Sequence, residues 1–208
     1  EFRTRYGIDV SSFQGEIDWD AVADDNIDFA MVRVGFRGTG TGSLNTDKYY
    51  EQNIRGAMRA GLETGVYFFA QAVTVEEAIE EADYVISLLD GLDINGPVAY
   101  DWEMHDSTYR VYGTSPEMAT ACAVAFCERI KDAGYTPMVY GGTYVTYMKY
   151  DQGALADYLS WYPEYKSEKS EKLCPTLVYH MDYWQFSSSR AVAGINGRVD
   201  MNIQFIRR

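Results

Sequence analysis

Asp101 and Glu103 stand two residues apart at the end of the run Val98-Ala99-Tyr100-Asp101-Trp102-Glu103. In a β-strand the side chains alternate between faces, so residues two apart point the same way. Two carboxyls crowded on one face repel each other when both are charged, and the natural outcome is one protonated group beside one ionised group. Hydrolysis of a glycosidic bond needs that combination: a proton at the leaving oxygen and negative charge near an oxocarbenium-like centre. A lone D-x-E also fits a solvated strand end or a carboxylate that caps a loop, so the pair alone does not decide. Two further acids bear on it. Asp9 lies in the short apolar run Ile8-Asp9-Val10, and Asp200 opens the run Val199 to Phe205. Each alone could be a turn residue or a helix cap. If the last strand runs antiparallel to the others, Asp9, Asp101, Glu103 and Asp200 converge on one mouth. Four acids without matching bases cost stability, so their convergence points to function.

Aromatic residues interleave with these acids: Tyr67, Phe69, Tyr100, Trp102, Tyr140, Trp161, Tyr183 and Trp184. Sugar rings offer apolar C–H faces and hydroxyls that such side chains match. We take Tyr67, Phe69, Tyr140, Trp161 and Trp184 as candidate substrate contacts, with core packing as the alternative for any large aromatic. His105 follows the D-x-E, but the only other histidine is His180 and there is no C-x-x-C, so neither a metal nor any other cofactor is expected. Cys122, Cys127 and Cys174 read as three buried thiols, because sites five apart on a helix face away from each other and suit a disulfide poorly.

The elements that must position these residues alternate. Strand runs at Ile8 to Val10, Phe29 to Val34, Val66 to Phe69, Val98 to Glu103 and Met138 to Tyr140 are separated by helical segments. Asp18 caps a helix to about Asn26, and a second helix spans about Thr46 to Ala60, closed by Gly61. Thr74 and Glu77 form a capping box for a third, running to about Leu89, and Ser115-Pro116 opens a fourth that ends at Ala133-Gly134. Five β-then-α units imply a parallel sheet, either doubly wound or closed as a barrel. The tail differs: a short helix near Gly153 to Tyr158, a charged solvated loop from Lys166 to Lys172, and strand runs at Leu159 to Tyr162, Tyr179 to Phe186 and Val199 to Phe205. The last connection, Ser187 to Arg198, has no helical period, so the final strand is expected antiparallel to the one before it.

A chain of 208 residues is expected to fold as one domain. Its net charge of −13, without a Lys/Arg-rich run, argues against nucleic acid and against anionic membranes as partners. No apolar run reaches the ~20 residues that span a bilayer.

Three segments together resemble glycoside hydrolase family 25, the lysozymes of the Chalaropsis and phage-endolysin type. They are Gly7-Ile8-Asp9-Val10-Ser11-Ser12-Phe13-Gln14-Gly15 with Glu16-Ile17-Asp18-Trp19; Tyr100-Asp101-Trp102-Glu103; and Tyr183-Trp184-Gln185-Phe186-Ser187 followed by Gly194-Ile195-Asn196-Gly197-Arg198-Val199-Asp200-Met201-Asn202. Their order and near-complete coverage make the resemblance specific. It implies an α/β fold, an irregular TIM-like barrel of five β/α units followed by three strands. It implies a muramidase that cleaves the β-1,4 bond from N-acetylmuramic acid to N-acetylglucosamine in peptidoglycan. Glu103 then resembles the general acid, Asp101, Asp9 and Asp200 the supporting carboxylates, and Gln185 joins the substrate contacts. Retention through the substrate's own 2-acetamido group is the expected course, since Asp101 and Glu103 reach the sugar from one side; inversion, with Asp9 or Asp200 as base toward a water, is the alternative. A non-catalytic peptidoglycan-binding domain and a chitinase-like hydrolase are the rival readings. The expected setting is extracellular, as a monomer, with any signal peptide or further modules outside this stretch.

Overall fold

The computed structural model describes residues 2–165 and 174–207; the charged segment Lys166 to Lys172 lies outside them. The chain runs β1 (Phe2–Val10), α1 (Trp19–Asp24), β2 (Phe29–Arg37), β3 (Leu44–Thr46), α2 (Tyr50–Arg59), β4 (Glu63–Ala70), α3 (Val75–Leu88), β5 (Val98–Trp102), α4 (Pro116–Asp132), β6 (Pro137–Tyr140), α5 (Thr143–Met148), β7 (Leu159–Pro163), β8 (Tyr183–Arg190) and β9 (Val199–Arg207). Eight strands close a barrel in the order β1-β2-β4-β5-β6-β7-β8-β9 and back to β1, while β3 hangs antiparallel on β2. Strands β1 to β8 of the barrel are parallel, and β9 is antiparallel to both β8 and β1. The expected α/β barrel of five β/α units, three closing strands and a reversed last strand is what the chain forms.

Helices α1, α3 and α4 start where a side chain accepts from an unpaired N–H group. Asp18 accepts from Ala21 and Ser115 from Met118, each at 3.2 Å. Gly61, at φ +83, closes α2 in the left-handed region that glycine occupies without strain. Thr74 accepts from the Glu77 N–H, but the Glu77 carboxylate bonds the Val73 N–H and Arg110 rather than closing a box with Thr74.

Core packing follows from strand alternation. Residues facing the helices join Val32, Val66, Phe68, Tyr100 and Trp102 to the buried faces of α1 to α4. The alternate residues Phe29, Met31, Ala99, Met138, Tyr140, Trp161 and Tyr183 fill the barrel interior. Gly7 leaves room there for Phe29, whose ring would lie 2.4 Å from a Cβ at that position. Outside β7 to β9, which carry no long helix, Tyr162, Met181, Trp184, Phe186 and Ile203 make a separate cluster.

Further expectations change, and the strand expected from Tyr179 starts only at Tyr183. The helix placed from Thr46 starts only at Tyr50, because Leu44–Thr46 pairs with β2 and buried Asp47 ties the chain to Arg33 and to the Ser12 N–H. Residues 152–157 form successive turns rather than a helix: Asp151 accepts from the Gly153 and Ala154 N–H groups, and the bonds that follow span three residues. The helix of that region is α5, whose β-branched and aromatic sequence hides it; Val145 and Thr146 bury its inner face. Cys174 is exposed, not buried, whereas Cys122 and Cys127 are buried thiols in α4. No helix among the described residues is long and apolar enough to cross a membrane.

Candidate active site

The C-terminal mouth of the barrel holds a cleft of about 230 Å³. Asp9 reaches it from the end of β1, Asp101 from β5, Glu103 from just past β5, and Asp200 from the start of β9. The reversed β9 is what brings Asp200 here, directly opposite Asp9 in the β1–β9 register. Tyr67, Phe69, Tyr140, Trp161 and Gln185 complete the expected lining. Trp184 does not belong to it. Gln185 faces the cleft, so alternation turns Trp184 to the outside of β8, where it is 1% exposed, packs on Phe186 and donates its Nε1–H to the Glu164 carbonyl. Alternation excludes one of any two neighbours in a strand, and applied to the sequence it would have removed Trp184.

A run of oriented amides holds Asp9. One Asp9 oxygen accepts from Gln185 Nε2 and from Asn202 Nδ2, both at 2.8 Å. Trp161 Nε1 can only donate, and it donates to Asn202 Oδ1 at 2.8 Å; the Asn202 NH₂ must therefore face Asp9. Tyr140 and Tyr165 hydroxyls both donate to Gln185 Oε1 at 3.0 Å and orient that amide in the same sense. Asn202 is fully buried and faces Gln185 across the β8–β9 ladder.

The four carboxyls do not all carry charge. Two charges ~4 Å apart in protein surroundings repel by about 4 kcal/mol, enough to hold protons on carboxyls at neutral pH. Burial, and then the neighbouring Asp200, raise Asp9 to about 8. Asp200 is pushed up to about 6, first by burial, and accepts a hydrogen bond from Asp9, so the proton of this pair sits on Asp9. Asp101 is raised well above the ordinary carboxylate range by burial, then by the charge of Glu103, with which it shares a hydrogen bond. The protonated member of the D-x-E is thus Asp101, whose proton lies in the hydrogen bond to Glu103.

Several cleft residues carried no assignment in the sequence: Ser11, Phe13, Gln14, Arg33 and Tyr165. Arg33 had a signal, a charge inside the apolar run Phe29 to Val34. It pairs with Asp47 at 2.8 Å, and its guanidinium lies 5.1 Å from the centre of the Phe13 ring. Phe13 is 83% exposed, large for an apolar side chain. Asn202 stood inside the C-terminal motif without a role. His105 bonds Glu103 Oε2 through Nε2 at 2.5 Å. Among the described residues no group of three or more His, Cys, Asp or Glu is arranged to hold a metal.

Beyond Glu103 the cleft opens into a second hollow of about 520 Å³, lined by Met104, His105, Thr143, Tyr144, Val145 and Pro163 among others. Glu103, Tyr140 and Tyr165 line both hollows, so Glu103 stands at their divide. An α/β barrel whose mouth gathers buried carboxyls, with aromatic walls to either side, is the equipment of a glycoside hydrolase. The chain belongs to glycosyl hydrolases family 25, whose model matches residues 8–195. It is 26% identical to the autolytic lysozyme of Clostridium acetobutylicum over 197 residues, 94% of this chain and 54% of that protein. It is 27% identical to lysozyme M1 of Streptomyces globisporus over 201 residues, 94% of this chain and 66% of that one. The chain therefore spans about half to two thirds of the length of these relatives. Among solved structures, the bacterial lysozyme from Streptomyces coelicolor superposes with a TM-score of 0.76 at 25% identity, covering 95% of this chain and 90% of that one. The spore cortex lytic enzyme SleM of Clostridium perfringens, at TM-score 0.79 and 22% identity, covers 97% of this chain and 67% of its own and shares the fold.

Proposed function

We propose that this chain is a muramidase, cleaving the β-1,4 bond between N-acetylmuramic acid and N-acetylglucosamine in peptidoglycan. The observation that carries the reading is Glu103 at the divide between two aromatic-walled hollows, hydrogen-bonded to the buried Asp101. A general acid must sit beside the bond between two sugars, and the hollows on either side leave room for one sugar each. The lysozymes among its relatives support the same substrate.

In this reading the shared proton moves to Glu103 and then to the leaving oxygen as the bond breaks. Asp101, left as a carboxylate, orients the 2-acetamido group of the muramyl residue and stabilises the positive charge that forms when its oxygen attacks the anomeric carbon. Water then opens the cyclic intermediate, Glu103 takes the water's proton, and the anomeric configuration is retained. Asp9 and Asp200 hold the field and position the acetamide or the water. Tyr67, Phe69, Tyr140, Trp161 and Gln185 are the proposed sugar contacts, and no cofactor takes part. Peptidoglycan glycan strands are the proposed partner, met outside the cell by a monomer; nucleic acid and membrane are not. A single catalytic domain over 1–208 is supported by the pairing of β1 with β9, which joins the two ends of the chain in one barrel.

The test is Glu103→Gln on purified cell walls. General acid catalysis is worth about 10²–10⁴-fold, so a folded variant should lose at least about a hundredfold. Near-normal release of muropeptides would remove Glu103 from the role. Chitin cleaved as fast as wall would favour a chitinase-like enzyme instead.

A further inference from the structure

The sequence offers His105 no second histidine nearby with which to hold a metal. In the structure it touches the proposed acid directly, with Nε2 2.5 Å from Glu103 Oε2. The contact is built rather than accidental. Gln71 Nε2 donates to the Glu103 carbonyl at 2.8 Å, Arg110 donates to the Gln71 carbonyl at 2.9 Å, and the Arg110 N–H bonds the Thr39 carbonyl at 2.8 Å. Asp106 Oδ1 caps the Thr108 N–H at 2.8 Å, and the Tyr109 ring meets the imidazole edge-on at 5.3 Å. The loop that carries His105 is thereby pinned at both sides of it. The imidazole is nevertheless 63% exposed and lines the second hollow, so it exchanges protons with bulk solvent.

The groups that face it are few. Glu103 lies at Nε2, Asp106 and Tyr109 lie on the same loop, and Tyr140, Tyr144 and Tyr165 line the hollow from β6, α5 and the segment after β7. Arg110 turns away to Glu77. Two carboxylates and four phenols surround a ring that can take up a second proton.

We propose that His105 is a positioning residue that decides where the proton shared by Asp101 and Glu103 resides. Neutral His105 contributes one hydrogen bond to Glu103 and leaves the shared proton able to pass from Asp101 to Glu103. Cationic His105 pairs with Glu103 and holds it as a carboxylate. The shared proton is then stranded on Asp101, away from the leaving oxygen, and the acid step stops. The enzyme would carry an acid-side decline set by an exposed histidine, while loss of the shared proton ends activity on the alkaline side. This role rests on Glu103 being the acid.

The experiment compares pH profiles of wild type, His105→Gln and His105→Ala on solubilised peptidoglycan. Gln keeps an N–H for Glu103 but cannot gain a charge. Wild type should lose at least about tenfold in rate from pH 7 to pH 5, and His105→Gln less than about threefold. A Gln variant with an unchanged acid-side decline overturns the proposal. So does an equal loss in both variants at every pH, which marks His105 as a mere loop anchor. A second readout needs no activity. With only two histidines in the chain, ring proton signals assign by their loss in His105→Gln. Glu103→Gln should move the His105 signals and their titration and leave those of His180 in place. Unmoved His105 signals overturn the contact even if wall cleavage is intact, and a fully active Glu103→Gln removes Glu103 as the acid independently of the ring.

Discussion

Asp9→Asn should make the protein more stable at neutral pH. Asp9 is buried, and its surroundings raise it from 3.8 to about 8. In the unfolded chain the same carboxyl ionises freely near its ordinary value, so the folded state must keep a proton that the unfolded state gives up. The resulting cost is absent below about pH 4, grows as pH rises, and levels off near the folded value. At 1.36 kcal/mol per pH unit it reaches about 4 kcal/mol at pH 7. Because Asp9 and Asp200 share the proton, part of that cost belongs to Asp200, and we expect a gain of about 2–4 kcal/mol from the substitution. Asn fits the site as the protonated acid does. Its carbonyl can accept from Gln185 and Asn202, and its N–H can donate to Asp200. Urea unfolding of both proteins at pH 7 and pH 4 measures the difference; for a chain of this size the gain at pH 7 corresponds to roughly 5–15 °C in Tm. A loss of stability at pH 7 would refute the account, and an equal gain at both pH values would assign it to packing rather than to charge.

Trp184→Ala should cost about 3–5 kcal/mol in unfolding free energy, since the ring is buried outside β8, while kcat and KM of the folded protein stay near wild type; a selective rise in KM would return Trp184 to the cleft. Walls whose muramic acid lacks the N-acetyl group should be cleaved at least about a hundredfold more slowly if the acetamide is the nucleophile, and proton NMR of the first product should show retention; rapid cleavage excludes that route. A chain of net charge −13 approaching anionic wall polymers should work faster when moderate salt is added, read as the rate on whole walls against ionic strength; strong inhibition by modest salt would contradict this.

What the sequence made legible followed from periodicity. Alternation pairs Asp101 with Glu103, and the helix-free connection after Ser187 reverses the last strand, which carries Asp200 to the same mouth as Asp9. The parts that stayed hidden depend on side chains meeting across long separations. Asn202 clamps Asp9 from 193 positions away, and its orientation is set by Trp161, a residue on a third strand. Nothing local marks an asparagine for that task. Similarly α5 is spelled in β-branched and aromatic residues, and only its burial against the barrel makes it a helix. His105 stands plainly in the sequence, but nothing local there pairs its ring with Glu103, two residues back.

The same burial that raises these carboxyls explains how an acidic cleft can supply a proton at neutral pH. Asp9 and Asp101 are each 6% exposed, and both are held protonated chiefly by desolvation. A solvated D-x-E would ionise and have no proton to deliver near neutrality. The barrel therefore has to close tightly around groups that would be better solvated. The amides of Gln185 and Asn202, aimed by Tyr140, Tyr165 and Trp161, meet one Asp9 oxygen and limit that loss. Asp101 has no such clamp, and its Oδ1 is buried without a hydrogen-bond partner. An unpartnered buried oxygen costs about 1–3 kcal/mol, and it lies on the residue expected to accept the substrate's acetamide N–H. In the proposed mechanism the acetamide N–H of the substrate becomes the partner of that oxygen.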